Sequence, residues 1–240
     1  MKIPRQDTAR TRKSLLTAAS DIFAKRGYRD ATIAEISERA GTNIAAVNYH
    51  FGGKEALYRD AWRHSFQTSL KVYPLDGGVD RNAPPKQRLR GQVEALLRRI
   101  TDNGNREFSI AHHELANPTG LLEEVMQEEL RPLRQRMEAL VREVLGPRSS
   151  ELQVRFCAIS IISQSVIPSF INRIEKQGID AKKDSWRVDD IEAYAQHVVA
   201  FSLAGMAAIG CNANASMGKQ KTAPHVQTST KVQRLITDKT

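Results

Sequence analysis

The fold is decided by the stretch Ala40-Gly41-Thr42-Asn43-Ile44-Ala45-Ala46-Val47-Asn48-Tyr49-His50-Phe51-Gly52-Gly53-Lys54. Gly41 permits a sharp backbone turn, and Asn43 is a favoured N-cap for the helix that follows. A helix that ends before Gly41 and a short helix over residues 44–50 have the spacing of a helix-turn-helix, whose second helix enters the DNA major groove. The stretch predicts a DNA-binding protein, although a purely structural helical hairpin has the same spacing.

Three further helices are predicted on either side of this stretch. Apolar residues recur at helical spacing over residues 8–26, and Gly27 stands where that first helix should end. Thr32 and Glu35 form a capping box that starts the second helix, and a fourth helix is predicted over residues 54–71. Four helices therefore close the first unit.

A second unit follows a connection that is rich in proline and glycine, over residues 73–85. No strand-like alternation is visible, so the fold class is all-α with about nine helices and a second domain over residues 86–210. Serine, threonine, glutamine and lysine dominate residues 212–240, which predicts a disordered basic tail. The helices of the second domain are predicted over residues 86–101, 107–116, 120–145, 151–174 and 189–210.

Composition favours a cytoplasmic protein with a polyanionic partner. The formal net charge is +9, and residues 1–60 hold eleven basic against seven acidic residues. Cys157 and Cys211 are too few for a disulfide framework and lie in apolar helical stretches, where buried reduced thiols are expected. The N-terminus lacks the apolar segment of a secretory signal.

A membrane partner is not expected. The interval between Arg155 and Arg173 carries no charge and approaches the length of a spanning helix. However, it contains several serines, and Pro168 would interrupt its backbone hydrogen bonds. A helix buried between protein surfaces is the better interpretation.

Helical periodicity leaves the outward face of the third helix undecided. Ile44, Ala45 and Asn48 cluster on one side, while Val47 points the opposite way. An isoleucine is normally buried, so periodicity alone does not show which side faces solvent.

Two segments carry a more specific pattern, Thr32-Ile33-Ala34-Glu35-Ile36-Ser37-Glu38-Arg39-Ala40-Gly41 and Asn48-Tyr49-His50-Phe51-Gly52-Gly53-Lys54-Glu55-Ala56-Leu57. With them, residues 8–68 resemble the DNA-binding domain of the tetracycline-repressor (TetR) family. The resemblance implies that part of the third helix faces the groove and that nearby residues reach phosphates. The implied groove-facing residues are Ile44, Ala45 and Asn48, and the implied phosphate contacts are Thr32, Tyr49, His50 and Lys54, with Asn43 at the helix N-terminus.

Elementary chemistry agrees with these implied roles. A helix N-terminus attracts phosphate, and Lys54 and the Tyr49 hydroxyl can contact phosphate oxygens. Asn48 can pair with an adenine edge, and Ile44 and Ala45 can contact thymine methyl groups. The sequence departs from the common family pattern by having Asn48 where many members carry an aromatic residue and Ala45 where many carry glycine, so the base preference stays open.

The second half, from residue 86 to 210, resembles the effector domain of the CecR-like branch of the same family. The similarity is carried by His112-His113-Glu114-Leu115-Ala116-Asn117-Pro118-Thr119-Gly120-Leu121-Leu122 and the long amphipathic helix that follows. It implies a homodimer whose last two helices pair with their mates in a four-helix bundle. The candidate effector-binding residues are His112, His113, Met126, Ser160 and Gln164.

Enzymatic and metal sites are disfavoured. His112 and His113 are adjacent, whereas zinc sites on helices place two histidines at i and i+4. Ser160 and Gln164 have no identifiable His–acid partner for nucleophilic catalysis, and no phosphate-binding glycine loop is present. The sequence therefore predicts no cofactor and no metal.

The sequence as a whole predicts a ligand-responsive transcriptional regulator and a repressor in particular. It would bind a pseudo-palindromic double-stranded operator as a homodimer and be released by a small-molecule effector. The alternatives are a helical small-molecule-binding protein or enzyme whose hairpin is structural, and an adaptor that acts through the basic tail.

Overall fold

The computed structural model describes the backbone of residues 5–102, 104–175 and 186–220, and the side chains of residues 7–102, 104–172 and 186–210. Within these ranges the regular structure is entirely helical, which confirms the predicted all-α class. The helices are α1 (Arg5–Asp30), α2 (Ile33–Arg39), α3 (Ile44–Phe51), α4 (Lys54–Val72), α5 (Pro85–Thr101), α6 (Arg106–Ala116), α7 (Glu123–Leu145), α8 (Glu151–Glu175) and α9 (Ile191–Gln220).

The predicted helix boundaries of the first unit correspond to real caps. Gly27 has φ 70° and breaks α1, so the helical segment before it ends where the sequence indicates. The Thr32 hydroxyl accepts a hydrogen bond from the Glu35 backbone N–H at 3.1 Å and starts α2. The Asn43 side chain caps α3 in the same way, at 3.0 Å from the Ala46 N–H.

The first core lies where α1 and α4 pack together, with α2 and α3 against them. Aromatic rings fill its centre: Phe23 contacts Tyr58 edge-on at 4.8 Å, and Trp62 stacks on Phe66 at 5.3 Å. Such pairs add to the free energy gained by removing their surface from water. The core also contains Leu15, Leu16, Ala19, Ile22, Ile36, Val47, Leu57 and Ala61.

Two helices of the second unit also contribute to this first core. Ile110 of α6, together with Leu122 and Val125 at the start of α7, is buried in the same cluster. The connection at residues 73–85 therefore separates two units along the chain, but their side chains form a continuous apolar core. A displacement of α6 would therefore shift the packing of α1 and α4, because close-packed interiors transmit strain.

The second core is formed by α5, α7, α8 and α9. Leu89, Val93 and Leu97 on α5 face Val141 of α7 and Ile161 of α8, and all five are buried. Cys157 is buried in this cluster as a free thiol, as predicted, and burial raises its pKa. The side chain of Cys211 lies outside the described residues.

Two terminal features of the second unit differ from the sequence prediction. Helix α8 continues through Pro168, whose missing N–H removes only one backbone hydrogen bond. Helix α9 extends to Gln220, although disorder was predicted from residue 212. Residues 212–217 contain no glycine or proline and include two alanines, so local propensity permits the extension. The rest of the predicted tail, residues 221–240, lies outside the described residues.

A close backbone approach fixes the connection between the units. Gly77 has φ 62°, and a Cβ there would overlap the backbone of Gly91 in α5. A Cβ on Gly91 would in turn lie 2.6 Å from the carbonyl oxygen of Asp76. Both positions require glycine, and their contact holds the connection against α5.

We predict that Gly77→Ala destabilises the protein by on the order of 3–4 kcal/mol, because strain at positive φ combines with backbone overlap. Gly78→Ala is the matched control, since Gly78 has φ 74° but open space around its Cα. The control should lose only about 1–2 kcal/mol. Urea unfolding followed by circular dichroism measures both, and equal losses would contradict the overlap.

Candidate DNA-binding surface and effector cavity

Helix α3 exposes the side that carries Ile44 and buries the side that carries Val47, a choice that helical periodicity alone did not make. Val47 is fully buried, whereas Ile44 is 53% exposed. Ala45 and Asn48 are exposed with Ile44 and form one continuous face. The small Ala46 lies at the edge of the first core, where it permits close approach of the helix.

Aromatic residues at the end of α3 divide between surface and core. Tyr49 is 77% exposed, and its ring contacts that of His50 edge-on at 5.0 Å. Phe51 instead packs against the first core, with the Arg12 guanidinium 4.9 Å from its ring centroid. Gly52, at φ 78°, ends the helix in a left-handed conformation that favours glycine.

Lys54, at the start of α4, is held by α1. Its Nζ atom lies 4.5 Å from the ring centroid of Tyr28 and donates to the Arg29 carbonyl oxygen at 3.4 Å. Partial burial lowers the pKa of Lys54, and the charge of Asp30 opposes this effect. The ammonium group is therefore positioned beside α3 by packing contacts of its own. Thr32 is exposed at the N-terminus of α2.

The five residues predicted to contact an effector do not form one site. The His112 ring lies 5.6 Å from that of Phe170, and a Cβ added at Gly27 would lie 3.2 Å from the His113 ring. Met126 packs against the first core. The structure thus separates these three side chains, because α6 turns its histidines toward different helices.

Ser160 and Gln164 lie elsewhere, along a groove of about 230 Å³ between α8 and α9. The Ser160 hydroxyl donates to the Phe156 carbonyl at 2.9 Å, and the Gln164 amide donates to the Ser160 carbonyl at 3.1 Å. Both side chains are therefore bonded to their own helix. Their role in effector binding stays a prediction, and the groove that they line is separate from the cavity described below.

Glu114, next to the two histidines, stabilises a turn. Its carboxylate accepts hydrogen bonds from the Tyr58 hydroxyl at 3.1 Å and from the backbone N–H groups of Thr119 and Gly120 at 2.8 and 2.9 Å. These bonds join α4, α6 and the 117–120 loop. No group of three or more metal-ligating side chains occurs in the described part of the chain.

A separate apolar cavity of about 240 Å³ lies in the second unit, between α5, α7 and α8. None of the five predicted effector residues lines it. Concave, mostly apolar pockets with a few polar groups are the usual binding sites for small molecules. The lining residues are Tyr73, Leu75, Gln92, Ala95, Leu96, Arg99, Phe108, Leu130, Leu133, Arg134, Arg136, Met137, Ile162 and Val166.

An ion pair is buried at the wall of this cavity. Arg99 is 4% exposed and Glu107 is 3% exposed, and the Arg99 Nε atom lies 3.6 Å from Glu107 Oε1. Burial raises the pKa of Glu107 to about 7, against the opposing effect of Arg99. Burial also lowers the pKa of Arg99. The guanidinium carbon lies 5.4 Å from the Phe66 centroid and 5.9 Å from that of Phe108.

Sequence reasoning missed the cavity, although one signal was present. Gln92, Ala95, Leu96 and Arg99 recur at i, i+3, i+4 and i+7, so they form one stripe of α5. An arginine on such a stripe is unusual, because arginine is rarely buried without a partner. The helical pattern could not show which helices would face this stripe.

The outer side of α8 and α9 carries exposed apolar residues. Phe156 and Ile159 on α8 are 57% and 52% exposed, and Phe201 on α9 is 63% exposed. Small residues accompany them on α9, where Ala200, Ala204, Gly205 and Ala208 are also exposed. Large exposed apolar patches mark interaction surfaces.

Two described helical segments are long and apolar enough to cross a bilayer by composition alone, Glu151–Asn172 and Ile191–Gly210. Both contribute buried residues to the second core, including Val154 and Val198. Core helices of soluble proteins pass the same test, so their length and composition are weak grounds for a membrane span.

An exposed recognition helix joined to a helical domain with an apolar cavity defines a helix-turn-helix transcriptional regulator. The family model of bacterial regulatory proteins of the TetR family matches residues 15–61. The model of the C-terminal domain of the HTH-type transcriptional dual regulator CecR matches residues 85–206, just over half of the chain. The chain belongs to the TetR family of transcriptional regulators, with a C-terminal domain of the CecR type.

Curated relatives are similar over part of their length. The HTH-type transcriptional repressor NicS of Pseudomonas putida is 35% identical over 91 residues, which are 37% of this chain and 41% of NicS. The HTH-type transcriptional activator FasR of Mycolicibacterium smegmatis is 33% identical over 96 residues, 40% of this chain and 42% of FasR. The matches thus span about two fifths of each relative, and they include a repressor and an activator.

Solved structures share the fold over most of the chain. A transcriptional regulator from Rhodococcus sp. Rha1 superposes with a TM-score of 0.62 at 20% identity, covering 81% of this chain and 96% of the other. The fatty acid degradation regulator FadR from Bacillus halodurans superposes with a TM-score of 0.61 at 17% identity, covering 85% and 97%. At these identities the likeness concerns the fold.

We predict that Glu107→Gln changes how stability depends on pH. A carboxyl group whose pKa is raised on folding stabilises the folded state fully below its unfolded pKa of about 4.3, and this contribution is lost as pH rises through the folded value. The wild-type protein should therefore lose on the order of 3 kcal/mol between about pH 4.5 and 7 relative to Glu107→Gln. Urea unfolding of both proteins across this range measures the difference, and parallel pH curves would contradict the raised pKa.

Proposed function

We propose that this protein is a ligand-responsive repressor that binds a pseudo-palindromic operator as a homodimer and is released by a small-molecule effector in the cytoplasm. The observation that carries this proposal is the exposed face of α3, where Ile44, Ala45 and Asn48 lie together while Val47 anchors the helix. A helix in that setting can enter a major groove without losing core contacts.

The proposed DNA contacts fall into two groups. Ile44, Ala45 and Asn48 read base edges, because apolar and amide side chains contact thymine methyls and adenine edges. Tyr49, with its exposed hydroxyl, and Lys54 contact phosphates on either side of the groove. The remaining phosphate contacts come from Thr32, Asn43 and His50.

The exposed face of α8 and α9 is the proposed dimer interface. Phe156 and Phe201 supply large apolar side chains, and Ala204 and Gly205 permit close approach of helix backbones. Two copies that bury this face against each other form a four-helix bundle. Ser160 and Gln164 line the same groove as Phe156 and Phe201 and would then lie within that interface.

The proposed release mechanism is a shift between two arrangements of α4. This helix begins beside α3 at Lys54, and its Phe66 ring lies next to the guanidinium of Arg99, which lines the cavity. An effector that binds one arrangement more tightly moves the equilibrium toward it. The two recognition helices then no longer match successive major grooves, which lie about 34 Å apart.

Selection of bound sequences from random DNA tests the proposal directly. The full-length protein should enrich a pseudo-palindrome whose half-sites are about one helical turn apart, and its affinity should fall steeply as salt rises. Effector release is tested on that sequence with a panel of compounds. If no motif is enriched, the proposed sequence-specific DNA binding is wrong. If only a single half-site is enriched, the proposed binding as a homodimer is wrong.

We predict that Asn48→Ala and Lys54→Ala separate base reading from phosphate contact. Asn48→Ala should relax preference at one or two operator positions, at a cost of about 1–3 kcal/mol for the best site. Lys54→Ala should weaken binding to all DNA sequences equally and reduce the dependence of affinity on salt concentration. Quantitative mobility shifts on operator and scrambled DNA measure both, and identical effects of the two variants would refute this division.

We predict that Phe201→Glu abolishes the dimer, because it buries a charge in a proposed apolar interface. Leu115→Glu is the matched control, since Leu115 is also exposed, at 68%, but lies on α6. Light scattering after size-exclusion chromatography gives the mass of each variant. A dimeric Phe201→Glu protein, or a monomeric Leu115→Glu protein, would place the interface elsewhere.

A further inference from the structure

The charged side chains that line the cavity are all basic, and the one acidic partner, Glu107, lies behind Arg99 and does not line the cavity. Among the described residues that line it, three are arginines, Arg99, Arg134 and Arg136, and none is aspartate or glutamate. Arg134 and Arg136 are exposed on α7 at the edge of the cavity, whereas Arg99 is buried. A concave site whose charged side chains are all cationic attracts anions, and the low dielectric of its walls strengthens the attraction.

Arg99 has donor capacity that the folded chain leaves unused. Its Nη1 atom is buried and has no hydrogen-bond partner among the described residues. Glu107 faces the Nε atom, and Nη1 does not share the Nε edge of the planar guanidinium. A buried charged donor without an acceptor costs free energy, and a ligand that supplies an acceptor at the cavity wall removes this cost. Glu107 Oε2 is likewise buried and has no hydrogen-bond partner among the described residues.

The rest of the wall selects an apolar group. Leu96, Phe108, Leu130, Leu133 and Met137 line the cavity together with Arg99. A cavity of about 150 Å³ lined by such residues holds benzene. The volume here is about 240 Å³, so an apolar body somewhat larger than benzene fits. The combination of one buried cation and an apolar enclosure fits an amphipathic anion.

We propose that the effector is an organic carboxylate with a compact apolar body, whose carboxylate accepts hydrogen bonds from Arg99 while its apolar part fills the space between α5, α7 and α8. This inference rests on the proposed function for the release of DNA, but not for binding itself. Arginine suits the role better than lysine, because its planar donors match a carboxylate and its face packs on Phe66 and Phe108.

The Arg99 anchor also connects the ligand to the first unit. Glu107 competes for the same guanidinium from the first turn of α6. The adjacent Arg106 pairs with Asp21 of α1, and Asn105 donates to the Ser69 hydroxyl of α4 at 3.3 Å. A second carboxylate on the Nη1 side of Arg99 repels that of Glu107 and shares its cation, which weakens the pair that holds the start of α6 between α1 and α4.

Matched pairs of compounds test the charge requirement. The probes are octanoate against octan-1-ol and 3-phenylpropanoate against 3-phenylpropan-1-ol, each titrated calorimetrically into the full-length protein. We expect at least one acid to bind at least about tenfold more tightly than its alcohol. The double variant Arg99→Met/Glu107→Gln removes both charges and so avoids an unpaired buried carboxylate. It should bind acid and alcohol equally.

Two single variants sharpen the test. Arg98→Met is the matched control, because Arg98 is the exposed neighbour on the same helix, and it should keep the preference for the acid. Glu107→Gln removes the competing carboxylate and should raise the affinity for the acid by about three- to tenfold without changing that for the alcohol. A merely structural role of Arg99 would not produce this gain.

The inference is overturned if acid and alcohol bind the wild-type protein equally, if neither member of either pair binds, or if the double variant keeps the preference for the acid. Operator mobility shifts on the same proteins test the proposed function separately. An acid that binds through Arg99 but leaves operator affinity unchanged supports the anion site and contradicts effector-driven release.

Discussion

Packing of α6 against α1 and α4 is the contact on which the two units depend. Ile110 is buried in the first core, and the Arg106–Asp21 ion pair and the Glu114–Tyr58 hydrogen bond flank it. Without this contact, the helix-turn-helix unit would be joined to the second unit only by the start of α7, where Leu122 and Val125 are buried in the first core, and by the chain after α4. With it, the first core extends from the recognition helix to the helix that begins at the cavity wall.

This continuity is the physical basis of the proposed coupling between the cavity and the exposed face of α3. The Arg99 guanidinium lies over Phe66, which belongs to the same aromatic cluster as Trp62 in α4. A ligand that moves Arg99 acts on α4 directly and on α6 through Glu107. Close-packed side chains have few alternative arrangements, so the proposed shift would take these helices between discrete positions.

Sequence reasoning located the DNA-binding unit well and the cavity poorly, and the difference has a physical cause. Thr32 and Asn43 cap helices through bonds to residues three positions later, so short-range sequence predicts them. The candidate effector contacts, such as His112 and Ser160, stay predictions. Their partners depend on how α6 and α8 rotate about their own axes, which no local pattern records.

The sequence by itself determined the helices, their caps, the turn at Gly41 and membership in the TetR family, because these depend on contacts within a few residues or on a specific motif. The resemblance already implied that Ile44 faces outward, and the structure shows it exposed. Only the tertiary structure decided that Arg99 and Glu107 are buried together beside an apolar cavity. The burial and the ion pairing of Arg99 and Glu107 depend on contacts with helices that are distant along the chain. No local pattern in the sequence records those contacts.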